Sequence, residues 1–408
     1  MLNDRELNDV LVDLANELDI PPSKYKQAVE RYSAVGDWLN DGDYEGVYSD
    51  LDVYPQGSFR LGTVIRPLKA GKEADYDIDL VCQLPLLRKS TFPGALKNAV
   101  GGRLEENGTY RKMLDKEGRR CWTLLYAEED GVGFHLDVLP SIPADESVLK
   151  KLNEAMVQSQ YTKHAVDITE KDRGSGVYAW KISGSNPRGY ALWFEDINRA
   201  AFMRIEFSQK QMITEKYASI YASVEEVPNE LIRTPLQRSV QILKRHRDMF
   251  FKDDPDNKPI SMIITTLAAL AYKGETDLVS ALYTIVDTLT GYNSLMELCT
   301  SELGLIQKVG GEWVILNPVN PGENFADRWN EPGSQRPHTF FRWLAKLQKD
   351  FNYAKEYRDA ASMCKFLWPV FGVRIPQVEI PKFNIIDSKP KKEFPRVEIQ
   401  TPARPWRP

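Results

Sequence analysis

Cysteine is scarce and scattered in this chain of 408 residues: Cys82, Cys121, Cys299 and Cys364 make no Cys-x-x-Cys pair. That excludes a disulfide framework and a zinc ribbon, and it fits a reducing, cytoplasmic setting. Long apolar runs are missing as well. The longest, residues 260–272, is interrupted by Ser261, Thr265 and Thr266 and is too short to cross a bilayer, so no membrane association is expected. The opening residues, Met1-Leu2-Asn3-Asp4-Arg5, lack a basic segment followed by an apolar one, so no secretory leader is expected. Nor is there an excess of positive charge. Net charge is −5 and the isoelectric point about 5.7, whereas a protein that holds long DNA or RNA shows a basic face. The positive residues gather locally instead, with Arg60, Arg66, Lys69 and Lys72 in one stretch and Lys244, Arg245 and Arg247 in another. Such grouping suits the triphosphates of single nucleotides better than a polymer. Hydrophobic content of 42% and charged content of 27% are those of a soluble globular protein, long enough for two or three domains.

What the chain does have is three aspartates introduced by one Gly-Ser pair. Tyr54-Pro55-Gln56-Gly57-Ser58-Phe59-Arg60 precedes Asp75-Tyr76-Asp77-Ile78-Asp79-Leu80, and Phe134-His135-Leu136-Asp137-Val138 follows later. Ile78, Leu80, Cys82 and Leu84 alternate on one side of a strand, which leaves Asp77 and Asp79 together on the other. In the later segment Phe134, Leu136 and Val138 form the apolar face and Asp137 points away. Side-by-side strands would collect three carboxylates on one surface, and such anions repel unless a cation lies among them. Hard oxygen ligands on a rigid sheet suit Mg²⁺, with substrate phosphates completing its shell; Mn²⁺ has the same preferences. The Gly-Ser pair offers close backbone approach and a hydroxyl to a phosphate. The set reads as a two-metal nucleotidyl transfer site.

In this order and strand context, the motifs resemble the polymerase β-like nucleotidyltransferase superfamily. The fuller wording Gln56-Gly57-Ser58-Phe59-Arg60-Leu61-Gly62-Thr63 before Asp77-Ile78-Asp79 is similar to bacterial relatives of cyclic GMP–AMP synthase, the CD-NTases. Ser185-Asn186-Pro187-Arg188-Gly189-Tyr190, the stretch from Gln237-Arg238 to Lys244-Arg245-His246-Arg247-Asp248, Pro259-Ile260-Ser261, and Asn317-Pro318-Val319-Asn320-Pro321-Gly322-Glu323-Asn324 resemble further segments of that group. The resemblance implies an α+β fold: a bilobal nucleotidyltransferase core with a mixed sheet, plus a C-terminal helical lobe. It also implies roles. Asp77 and Asp79 would bridge both ions, Asp137 would hold the ion beside the acceptor hydroxyl, and Gln56, Gly57 and Ser58 would grip the phosphates. Lys244 and Ser261 would meet the same triphosphate from the helical lobe. ATP and GTP are the implied substrates, a cyclic oligonucleotide second messenger the product, and phage defence through an operon-encoded effector the setting. Two rivals use the same residues: a linear, tail-adding nucleotidyltransferase, and an inactive nucleotide binder.

Along the chain, residues 6–18 carry a helical stripe (Leu7, Val10, Leu11, Leu14, Leu18), and a second helix follows Pro21-Pro22 through Tyr25, Ala28, Tyr32, Val35 and Leu39. The resemblance makes this second helix the long brace of both lobes. The long interval between Ser58 and Asp77 requires an extra loop at Lys69-Ala70-Gly71-Lys72. Residues 121–126 and 133–139 flank Glu128-Glu129-Asp130-Gly131, a hairpin that presents Asp137. Residues 174–196 read as loop and strand completing the sheet, with Tyr190 and Trp193 either core or base-stacking. Domain boundaries are expected at 1–230 for the N-terminal helices and catalytic core, 231–375 for the helical nucleotide-binding lobe, and 376–408 for a Pro-rich strap or disordered tail. Thr234-Pro235-Leu236-Gln237 starts the helical lobe as a capping box, with loops at 253–259 and 317–337.

Overall fold

The computed structural model describes residues 2–44, 51–69, 72–129, 132–172, 174–297 and 304–376. Cys299, Asp130-Gly131, Ala70-Gly71 and the residues after Pro376 lie outside these residues. Local signals explain both N-terminal helices. Helix α1 (Asp4–Leu18) opens on a capping box between Asn3 and Glu6, and α2 (Pro22–Asn40) starts on Pro22, where a missing N–H is harmless. Strand β1 (Asp52–Gln56) runs straight into the one-turn helix α3 (Gly57–Arg60). The expected extra loop is a small hairpin of β2 (Leu68–Lys69) and β3 (Lys72–Glu73), leading into β4 (Tyr76–Gln83). Helices α4 (Pro93–Glu106) and α5 (Gly108–Met113) precede the hairpin of β5 (Trp122–Glu129) and β6 (Val132–Pro143). Helices α6 (Glu146–Glu154) and α7 (Ser159–Thr162) lead to β7 (Val166–Lys171) and β8 (Tyr178–Trp180).

These strands make one six-stranded mixed sheet in the order β1-β4-β6-β7-β8, with β5 also paired to β6. β4 and β6 run parallel and the other neighbours antiparallel. Strand β6 is long enough to pair with β4 along one edge and with β5, then β7, along the other. Ile78, Leu80, Cys82, Phe134, Leu136 and Val138 bury one sheet face against Ala28, Val35 and Leu39 of α2 and Leu96, Val100 and Leu104 of α4. Each Leu- or Val-sized side chain so buried contributes about 1.5–3 kcal/mol. The opposite face is divided. Tyr54, Val81 and Leu139 form a small apolar cluster with Val166 and Ile168, and the three aspartates occupy the other end.

Two expectations need correction here. After β8 the chain does not continue as loop and strand. From Pro187 it is a 30-residue helix, α8 (Pro187–Lys216), capped by Asn186, which accepts from Gly189 N–H at 3.1 Å. Tyr190, Phe194 and Ala201 have the helical spacing that reveals it. Tyr190 is core, with its hydroxyl 2.8 Å from Thr266 Oγ1. The brace between the lobes is also α8 rather than α2. Its Tyr190, Ala191 and Phe194 pack in the helical core and Ile213 packs on the sheet's core, whereas the buried residues of α2 belong to the sheet's core.

Helix α9 (Pro235–Phe250) starts on the expected Thr234/Gln237 capping box. It lies buried among α10 (Ser261–Ala271), α11 (Leu278–Thr290), α12 (Arg336–Glu356) and α13 (Ala360–Phe371). Helix α1 joins this core although it comes first in the chain, through Leu7, Leu11 and Leu14. Between α11 and α12 lie two small hairpins, β9 (Gln307–Val309) with β10 (Glu312–Val314), and β11 (Leu316–Asn317) with β12 (Asn320–Asn324). The start of the expected 317–337 loop is therefore strand. Inside the lobe, His246 Nδ1 accepts from Trp343 Nε1–H at 3.0 Å, and Nε2 faces Asp350 at 3.0 Å. Indole nitrogen is a donor only, so the imidazole is neutral with its proton on Nε2. Cys82, Cys121 and Cys364 are free thiols. Among the described residues no helix is long and apolar enough to cross a membrane.

Candidate active site

Register builds the site. Gln56 on β1 pairs with Asp79 on β4, Asp79 with Asp137 on β6, and Asp137 with Thr123 on β5. Four strands thus place Gln56, Asp79, Asp137 and Thr123 in one row across the sheet. Asp77 lies one step along the same face, paired with His135. Tight pairing on both sides of β6 fixes these side chains on a rigid surface. Thr123 donates to Asp137 Oδ1 at 2.5 Å. His135 stands between two acids, with Nε2 3.3 Å from Asp75 Oδ2 and Nδ1 3.5 Å from Asp77 Oδ1.

The Gly-Ser turn closes over this row. Gly57 has φ +65°, the left-handed region, and a Cβ there would stand 2.3 Å from Asp79 Oδ2. The position requires glycine for both reasons. Leu61 N–H donates to Gly57 O at 3.1 Å and Thr63 N–H to Ser58 O at 3.0 Å, so the turn is tied to the segment that follows it.

Electrostatics match the crowding. Asp79 is pushed up to about 7 by burial first, then by the charges of Asp137 and Asp77, against Lys244. Asp77 keeps an exposed side chain but is also raised, by desolvation from the surrounding walls and by Asp137 and Asp75, against His135. Lys244 reaches in from α9 and donates to Thr63 O at 2.9 Å. Burial and the neighbouring Arg247 bring it down to about 8, while Asp248, Asp79 and Asp77 oppose the fall. Lys244 is therefore a buried cation beside the carboxylates, not a solvated surface charge. Ser261 is the first residue of α10 and does not cap it; its Oγ accepts from Arg247 Nη1 at 3.1 Å. It is linked to α9 but makes no direct contact with the aspartates.

A cleft of about 970 Å³ opens in front of Asp137 and Thr123. Its lining includes Pro259, Ile260 and Ile263 around the start of α10, together with Gly322, Glu323 and Phe325. Two segments singled out in the sequence meet here. Asn186 donates to Val319 O at 3.1 Å, Asn320 to Ser183 O at 2.9 Å, and Lys181 pairs with Glu323.

Three of the basic residues grouped in the sequence, unlike Lys244, are engaged by other parts of the chain. Arg60 pairs with Glu195, Arg66 Nε donates to Asp19 O at 2.7 Å, and Arg245 donates to Phe371 O at 3.3 Å and to Arg66 O. These cations tie the segment from Arg60 to Arg66 to α8, to the end of α1 and to α9. The cleft is bordered instead by Arg119, Arg120, Lys258, Arg328 and Arg336. Sequence reasoning missed these and Thr123; Thr123 lies within the expected strand, but its register depends on an irregularity that pattern does not show.

The residues fit a divalent ion in chemistry: carboxylate oxygens on one sheet face, burial and mutual repulsion that together raise Asp79, and a glycine that leaves room over Asp79 Oδ2. Among the described residues no three such side chains already close on one point. Asp77 turns to His135 and Asp137 to Thr123, an open set that suits an ion sharing its shell with phosphates.

Comparison with known proteins agrees with this geometry. Residues 52–141, which hold β1, the turn and all three aspartates, match the family described as cyclic GMP-AMP synthase DncV-like, nucleotidyltransferase domain. A c-di-GMP synthase of Roseivirga ehrenbergii is 30% identical over 90% of this chain and 84% of its own length. The cyclic dinucleotide synthase CdnG of Bradyrhizobium diazoefficiens is 25% identical over 93% and 83%. In fold, the CdnG structure solved with GTP superposes with a TM-score of 0.65 at 23% identity, covering 90% of this chain and 96% of that one. Escherichia coli CdnC with ATP gives 0.57 at 14% identity over 90% and 98%. The chain belongs to the DncV-like CD-NTase family and is a nucleotidyltransferase.

Proposed function

We propose that this enzyme joins nucleoside triphosphates, GTP first and ATP as the other candidate, into a cyclic dinucleotide with release of pyrophosphate. The observation that carries the reading is the Gln56–Asp79–Asp137 row beneath the Gly57–Ser58 turn, with a cleft of about 970 Å³ opening at its Asp137 end. The relative named c-di-GMP synthase points to GTP. In each transfer a ribose hydroxyl attacks an α-phosphorus, the bond to the bridging oxygen breaks, and pyrophosphate leaves; a second transfer closes the ring. Asp77, Asp79 and Asp137 would hold two Mg²⁺ ions, which supply charge neutralisation at the phosphates and a more acidic hydroxyl. Ser58 and the N–H groups of the turn bind the outer phosphates, and Lys244 adds a cation from the helical side. Thr123 keeps Asp137 aimed along the row. In this reading residues 1–230 carry the chemistry and residues 231–375 close over the donor. The resemblance that supports a signalling product also supports a separate effector and a part in phage defence. Plaque counts on cells carrying the wild-type or Asp77→Asn gene with its neighbours test that part.

Chromatography of labelled GTP and ATP products before and after phosphatase tests the chemistry. A cyclic product keeps its label through phosphatase treatment. A product that loses terminal phosphate favours the linear rival, and tight binding with no turnover favours the inactive binder.

A further inference from the structure

Helix α9 presents a row of donors to the backbone that follows the Gly-Ser turn. Gln237 Nε2 donates to Leu61 O at 2.9 Å, Lys244 Nζ to Thr63 O at 2.9 Å, and Gln241 Nε2 to Val64 O at 2.8 Å. Positions 237, 241 and 244 share one helix face at spacings of four and three. The same backbone is tied to the turn from the other side, Leu61 N–H to Gly57 O and Thr63 N–H to Ser58 O. Gln241 is fully buried, and its amide also donates to Asp19 Oδ1 at 2.8 Å. Gln237 accepts from Thr234 N–H at 2.8 Å with its other atom, so one side chain both caps α9 and holds Leu61. Gly62 makes the approach feasible: its φ is +64°, and a Cβ there would stand 2.5 Å from Gln237 Nε2.

We propose that Gln237 and Gln241 are positioning residues, which set the height of the Gly57–Ser58 turn over the aspartate row by holding the Leu61 and Val64 carbonyls from the helical lobe. The inference rests on the reading of Ser58 as a phosphate ligand. The grip has a mechanical consequence. A shift of α9 relative to the sheet displaces the phosphate-binding turn directly, so closure of the helical lobe and donor binding are one event.

Gln237→Glu isolates the contact. Glutamate at this position still accepts from Thr234 N–H and suits a helix N-terminus, but it can no longer donate to Leu61 O and sets oxygen against oxygen. The expected result is a KM for GTP raised about tenfold, the scale of one lost hydrogen bond, with kcat changed less and the melting temperature lowered by only a few degrees. A purely structural role would lower the melting temperature and the active fraction and leave KM alone; that result, or a wild-type KM, overturns the proposal. Gly62→Ala reaches the same contact from the other side and serves as the reading should Gln237→Glu fold poorly. Its KM should rise alike, and the double variant should stay near the worse single one. Fully multiplied effects would mean that the two act separately and would refute the inference. Ser58→Ala measured alongside separates the two levels. If it raises KM and Gln237→Glu does not, the site stands and the positioning role falls. If it leaves KM intact, the phosphate reading fails and the inference fails with it.

Discussion

Gly57→Ala is the perturbation whose size follows most directly from the structure. Two effects add. The backbone at φ +65° becomes unfavourable for a residue with a Cβ, at about 1–2 kcal/mol. The new methyl would also lie 2.3 Å from Asp79 Oδ2, far inside contact distance. Either the turn lifts or the Asp79 carboxylate swings aside by about an ångström, and a misplacement of that size costs about a hundredfold in rate. Stability should fall by only a few degrees, because about 1 kcal/mol shifts a large domain by about 2–4 °C. Gly176→Ala is the matched control. It has φ +69° in an open turn with nothing near the added Cβ, so it carries the backbone penalty without the collision. Pyrophosphate release from GTP with Mg²⁺, alongside thermal unfolding, should show Gly57→Ala about a hundredfold slower and Gly176→Ala at the wild-type rate with a similar melting temperature. If Gly57→Ala keeps a third of its activity, the turn does not lie against Asp79 as argued.

Lys244→Met keeps the buried volume but removes the charge beside Asp79 and the bond to Thr63 O. A charge-assisted contact of about 1.5–3 kcal/mol predicts a KM for GTP raised about 10- to 100-fold with modest loss of stability, and an unchanged KM would return Lys244 to a structural role. Burial holds the His246 imidazole below its ordinary value, with Asp350 opposing. The unfolded chain therefore gains a proton below pH ~6.5 that the folded chain refuses, so this stability is complete above ~6.5 and is lost as pH falls. Melting temperatures from pH 8 to 5.5 should drop more steeply for wild type than for His246→Gln, and equal slopes would contradict the assignment.

Much of this was legible because the signals are local. Alternation around Asp77 and Asp79, the hairpin before Asp137 and the capping box at Thr234 each depend on a few neighbouring residues. Registers and helix faces were harder. Pairing Glu129 with Val132 and counting back would set Leu124 opposite Asp137, but an irregularity between Tyr126 and Glu129 shifts the pairing by one and brings in Thr123. The α8 helix was hidden by a start rich in Gly, Ser and aromatics, although Tyr190 and Phe194 already had its period. Charge misled most. Arg60 and Arg66 could meet phosphate or cover the rim as far as sequence goes, yet they pair with Glu195 and with the Asp19 carbonyl. A sequence shows that a guanidinium is present, not which acceptor it will find. The polar face of α9 went unread for the same reason: Gln237 and Gln241 have no period of their own, and their meaning lies in the carbonyls opposite.

Asp77 and Asp79 are held together at a cost in burial and repulsion because the chemistry requires them there. The most direct measurement is the Asp77→Asn/Asp79→Asn double variant, assayed for phosphatase-resistant product from labelled GTP and ATP and for thermal stability in the same buffer without divalent ions. Both side chains lie on the face of β4 away from the sheet's main core, and removing their charges relieves both the burial cost and the repulsion by Asp137 that push Asp79 up to about 7. The expected outcome is no detectable product and a melting temperature equal to or above that of wild type. Product at the wild-type rate from the folded double variant would contradict it.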